Sequence, residues 1–128
     1  MISGNRTEAL GFYERLAAQF PDRRDVQTTW GELLYDEGIR TSARTTLEKS
    51  LKQWREIEKR SENQSEAWFE AKYRIASLYI ALGNRAWAEK MVRSLSVLYP
   101  EMGGEEMKDK FQKILQTEKR DKKQGEKQ

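Results

Sequence analysis

The chain has 128 residues, of which 37% are apolar and 35% charged, and a net charge of +3. That balance suits a thin helical layer better than a thick globular core and implies no strong field for nucleic acid. It has no cysteine and no histidine, which excludes disulfides and thiolate chemistry and removes the commonest acid–base catalyst and zinc ligand.

The first predicted helix runs from Asn5, a candidate cap, to Phe20, with Ala9, Leu10, Tyr13, Leu16 and Ala17 recurring at helical steps before Pro21. The second runs from Asp22 to Glu37, with Val26, Trp30, Leu33 and Leu34 as its stripe and Gly38 as a left-handed cap. Gly31 lies mid-helix, where glycine costs about 1 kcal/mol relative to alanine, so close approach of a neighbouring helix is expected there.

A longer third helix is expected from Thr41 to about Arg60, with Ala43, Leu47, Leu51, Trp54 and Ile57 on one side and alternating charges on the other. Ser65 caps a fourth helix that reaches Leu82 and has a wide apolar face including Trp68, Ala71, Ile75, Ala76 and Tyr79. The fifth runs from Arg85 to Leu98 and closes at Tyr99-Pro100. The sixth, Glu105 to about Glu118, shows one stripe of Met107, Phe111, Ile114 and Leu115, as a terminal lid would. Residues 119–128 carry no apolar side chain and read as a disordered charged tail.

Three stretches share the pattern G-x-R-x-x-A: Gly4 to Ala9, Gly38 to Ala43 and Gly83 to Ala88, with starts 34 and 45 residues apart. Around them, Lys72, Ile75, Ala76, Tyr79, Ala88, Val92 and Pro100 fall at fixed offsets. Gln27, Trp30, Gly31, Leu34, Ala43 and Leu47 repeat those offsets, with Arg55 at the proline position, and Ala9, Tyr13 and Pro21 match the back half of an earlier copy.

In spacing this resembles the tetratricopeptide repeat family, W-x2-L-G-x2-Y, then A-x3-F, then P, with lysine where the tryptophan is expected. The resemblance implies an all-α, right-handed α-α superhelix, a TPR-like solenoid of about six antiparallel helices over residues 4–118. It divides into a half-repeat at 4–21, a repeat with an extended second helix at 22–64, a repeat at 65–100 and a capping helix at 101–118. Small residues at Gly31/Ala43 and Ala76/Ala88 would let paired helices cross closely. Gly4 falls at a mid-repeat turn, which suggests a fragment of a longer scaffold or adaptor, or a protein beginning on a half-repeat. The eleven extra residues between Ala43 and Ala88 would lengthen the third helix and raise a protruding hairpin bearing Trp54 and Trp68.

No catalytic constellation is legible. Asp25, Glu32 and Asp36 share a helix face and read as a solvated acidic face; no glycine-rich phosphate loop is present. Neither an enzyme activity nor a cofactor is expected. The family resemblance implies a concave groove lined by the first helix of each repeat, which takes a peptide or helix. The carried-over positions include Glu32, Tyr35 and Asp36 from one repeat and Tyr73, Arg74 and Ser77 from the next. Their acidic and aromatic character favours a neutral or basic segment with apolar anchors, although either tyrosine could instead pack against a neighbouring helix. Trp87 either packs on its own chain or, with Trp54 and Trp68, faces a partner. The alternative function is self-association as a homodimer through the uncovered face of the N-terminal half-repeat. No apolar run is long enough to span a membrane and no signal peptide is apparent, so a cytoplasmic location is the default expectation.

Overall fold

The computed structural model describes the backbone of residues 2–126 and the side chains of residues 5–116. It is all-α. The six helices are α1 (Ile2–Gln19), α2 (Arg24–Thr41), α3 (Arg44–Arg60), α4 (Glu66–Ala81), α5 (Arg85–Leu98) and α6 (Glu105–Glu126). Each packs on its neighbours in sequence. In addition α2 touches α4 and α4 touches α6, whereas α1, α3 and α5 make no such contact with one another.

The expected helices are all present, and α5 has the expected limits. Ser65 caps α4 as expected, its hydroxyl oxygen accepting from the Trp68 amide at 3.2 Å. The caps assigned to Asn5 and Asp22 are not seen. Asn5 lies inside α1, and α2 starts after Arg23 with no side-chain cap. The backbone of α6 continues past Glu118 to Glu126. Lys, Glu and Gln, abundant in that stretch, have good intrinsic helix propensity; residues 127 and 128 of the expected tail lie outside the described residues.

Two corrections concern α2 and α3. Gly38 does not end α2. The helix runs through it to Thr41, and Ser42 takes the left-handed conformation (φ 56°, ψ 22°), its amide donating to the Gly38 carbonyl at 2.8 Å. Gly38 is buried because α3 lies against it: a Cβ there would stand 2.9 Å from Leu47 Cδ2. The three G-x-R-x-x-A stretches therefore differ in backbone. Gly4 and Gly38 are helical, while Gly83 is a turn glycine at φ +88°.

The second correction is the protruding hairpin. At 17 residues α3 is no longer than α2 at 18, and the two pair along their lengths. Trp54 is 1% exposed, and its indole Nε1 donates to the Gly31 carbonyl at 3.0 Å. Ile57 is buried one turn on. Gln53 Nε2 reaches the Gln27 carbonyl at 3.0 Å, and Arg60 donates to the Pro21 carbonyl. The close approach expected at Gly31 is present: a Cβ there would lie 3.1 Å from both Trp54 Cε2 and Ile57 Cδ1. The partner of Gly31 is Trp54, however, while Ala43 serves as the cap of α3.

Two apolar clusters meet on α4. Leu47, Leu51, Trp54 and Ile57 of α3 pack with Ala71, Ile75 and Leu78. Phe69 and Ala76 pack with Ala88, Val92 and Leu95 of α5, Met102 of the following turn and Phe111 of α6. A helix buried on several sides needs apolar residues around most of its circumference, which α4 has. Ala76 and Ala88, both fully buried in one cluster, are the small pair expected at the α4–α5 crossing.

The α5–α6 turn is pinned from inside. Met102 is buried at φ 49°, and Gly103 at φ +85° sits against the Phe69 ring, where a Cβ would come within 2.9 Å of Cγ and Cδ2. Gly83 has a similar φ with nothing within 4 Å of a Cβ. Gly83→Ala should cost only the left-handed penalty of about 1–2 kcal/mol. Gly103→Ala adds overpacking against Phe69, a further ~1–3 kcal/mol. Urea denaturation of the two variants checks this; equal losses would show that the Phe69 contact is not tight.

Candidate functional site

The candidate face is built by α2, α4 and α6, with α4 touching both of the others. Its side chains form two seams. At the α2–α4 seam, Arg74 lies over the Tyr35 ring, its guanidinium 4.4 Å from the ring centroid, and 5.3 Å from that of Trp54. The same Arg74 donates from Nε to Glu70 Oε1 at 2.9 Å, one helical turn away. Ser77 stands near the Tyr35 hydroxyl. At the α4–α6 seam, Tyr73 meets Phe111 edge to face at 5.8 Å, and Lys110 stands 5.6 Å from the Tyr73 ring centroid. Tyr35, Tyr73, Arg74 and Ser77 are all half-buried. Both tyrosines thus pack against a neighbouring helix and present only part of their rings to this face.

The predicted acidic positions separate. Asp25 is drawn into a two-bond pair with Arg23, at 2.7 and 3.0 Å, which holds its carboxyl below the usual range. Glu32 and Asp36 are exposed and form no ion pair among the described residues. The seam cation is committed to Glu70 and two aromatic rings, while Arg6 and Arg40 line a cleft with Asp36 on the α1 side.

Burial raises the Tyr35 pKa above its ordinary 10.0, overcoming the opposing effects of the nearby Ser77 hydroxyl and Arg74 cation. The folded protein holds that proton more tightly than the unfolded chain. The resulting stability is fully present below the unfolded value and is lost as pH rises through the folded one. Thermal unfolding followed from about pH 9 to about pH 11 should fall more steeply for the parent chain than for Tyr35→Phe. Identical slopes would show that the Tyr35 hydroxyl is effectively solvated.

Three of the four tryptophans, those expected at an interface, have separate fates. Trp54 is inside the core, so it offers no surface to a partner. Trp68 is half-buried, edge to face with Phe69 and Tyr99 at 5.0 and 5.5 Å, with Lys72 over its ring. Trp87 is 43% exposed and stacks on Tyr79 at 4.2 Å, so it both packs on its own chain and meets water.

Sequence reasoning missed the Arg74 contacts with Tyr35 and Trp54. The residues are far apart in the chain, and no local spacing links them. No group of three or more His, Cys, Asp or Glu side chains that could hold a metal exists among the described residues, and none of their helices is long and apolar enough to cross a membrane.

No family model, curated protein or solved structure matches this chain. The likeness to tetratricopeptide repeats therefore stands on the chain's own motif spacing.

Proposed function

We propose that this chain is a non-catalytic protein-interaction module that takes a peptide or helix along the face of α2, α4 and α6. One observation carries the reading: α2 touches α4 and α4 touches α6, while α1, α3 and α5 stay apart. Alternate helices thereby share a layer, as in the helix pairs of a tetratricopeptide-like stack, where successive pairs build a right-handed superhelix. The support is the packing order more than the motif, since the three G-x-R-x-x-A copies adopt different backbones. The bound segment is neutral or basic with apolar anchors. It meets the rims of Tyr35 and Tyr73 and the unpaired carboxylates of Glu32 and Asp36. The reading requires no cofactor.

Photo-crosslinking tests it. A photo-reactive residue replaces Ser77, which is less committed to packing than the tyrosines, with Lys52 on α3 as the control site. A defined protein captured from the α2–α4 face and not from Lys52, and lost in the Glu32→Lys/Asp36→Lys double variant, is the expected result. Equal capture from Lys52, or none at all, would count against the module.

A second reading, self-association, has its own observation. Among the described residues helix α1 packs on α2 alone, with Phe12 53% and Phe20, just past its end, 45% exposed. Mass rising with concentration in sedimentation, and reversed by Phe12→Ser/Phe20→Ser, would favour it over the groove.

A further inference from the structure

We infer that the furrow between α3 and α5, floored by α4, is a second docking surface, and that it takes a short amphipathic segment of another protein with an acidic flank. Both α3 and α5 pack on α4, yet no Cα of one comes within 8 Å of a Cα of the other. The side of α4 between them is therefore not closed by helix packing.

Trp68 and Lys72 of α4 and Trp87, Lys90, Met91 and Leu98 of α5 are among the residues lining the resulting open cleft of about 400 Å³. On α5 the apolar members fall at 87, 91 and 98, one face of a helix. From Trp87 to Leu98 that strip runs about 16 Å, the length of roughly three turns of a docked helix. It is not core surface: Trp87 is 43% and Leu98 67% exposed. Tryptophan, tyrosine and methionine grouped on an exposed strip have the composition of an interface centre.

The charges that line the strip are the cations Lys72 and Lys90. No carboxylate lines the cleft. Lys90 is exposed and has no ion pair among the described residues. On the α3 lip, Arg55 stands over the Tyr79 ring at 5.4 Å. The nearby Glu58 is neutralised by Lys72, which also covers the Trp68 ring at 5.0 Å. An apolar strip lined by Lys90 and by no carboxylate, with Arg55 nearby, favours apolar anchors flanked by carboxylates and disfavours a basic segment. This is the opposite preference to that of the α2–α4 face, where Glu32 and Asp36 are the unpaired groups. The two surfaces can therefore be told apart by the sign of the charge they select.

The test uses the full chain and two synthetic amphipathic helical peptides. They share one leucine stripe; one is flanked by glutamates, the other by lysines. Binding is read by calorimetry, with circular dichroism confirming that each variant is folded. The expected result is that the glutamate peptide binds at least about ten-fold more tightly than the lysine peptide. Lys90→Glu should remove that preference, and Trp87→Ala/Leu98→Ala should weaken the glutamate peptide by about ten-fold or more. Glu32→Lys/Asp36→Lys should leave it unchanged. The inference is overturned if neither peptide binds, if both bind equally, or if the Glu32/Asp36 variant is the one that alters binding. It is also overturned if sedimentation shows the chain associating with itself through Trp87 and Leu98, since a second copy would then be the occupant.

Discussion

Trp54→Ala should destabilise the fold by about 3–5 kcal/mol, a large part of the ~5–15 kcal/mol that holds a typical domain together. The indole is 1% exposed and lies where α2, α3 and α4 meet. It fills the space that Gly31 leaves by lacking a side chain, with Cε2 3.1 Å from where a Cβ would stand. Truncation opens a cavity that α2 cannot refill, because the nearest residue across the gap is a glycine. Loss of the Nε1 hydrogen bond is the smaller effect, since the Gly31 carbonyl keeps its place in the helical ladder. Trp54→Phe, which retains most of the volume, should therefore cost less than Trp54→Ala. Urea denaturation measures both. A loss for Trp54→Ala no greater than the ~0.5 kcal/mol of a surface change would mean that α3 does not lie along α2 as described. Arg74 also covers the Trp54 ring, so the alanine variant should disturb Tyr35 on the candidate face as well.

Phe111→Ala should cost a comparable amount, about 3–5 kcal/mol by the same cavity argument, but the loss should appear in one region. Phe111 is fully buried against Tyr73, in the cluster that joins α6 to α4 and α5. Its removal weakens the attachment of a single helix. The cluster around Trp54 involves α3 and α4 and stays intact. Local opening of a weakly held element precedes global unfolding. Amide hydrogen exchange should therefore speed up across α6 while α3 retains protection. Uniform loss of protection in α3 and α6 would show that α4 transmits the damage and that the two clusters unfold as one unit.

These two residues illustrate how much could be read in advance. Both lie on apolar stripes with helical spacing, and a position on a stripe follows from sequence alone. The α6 stripe places Phe111 facing inward, and it is buried. Trp54 was expected on a protruding hairpin, because the extra residues before Ala88 were assigned to a lengthened α3. The structure instead carries α2 beyond Gly38 to Thr41, which matches the two helices in length and lays Trp54 on Gly31. On the candidate face, the positions of Tyr35, Tyr73, Arg74 and Ser77 followed from offsets within α2 and α4. The stacking of Arg74 between rings from two other helices did not.

The sequence by itself determined the number of the helices, the limits of α5, the cap at Ser65 and the need for a close neighbour at Gly31. These depend on periodicity and on backbone chemistry within a few residues. Only the tertiary structure decided what Gly38 is for, whether Trp54 meets water, and which helices that are not neighbours in sequence touch. A glycine serves equally where a turn needs positive φ and where a neighbouring helix leaves no room for a Cβ. The sequence around Gly38 fits both, and the side chain of Leu47 packed against it selects the second.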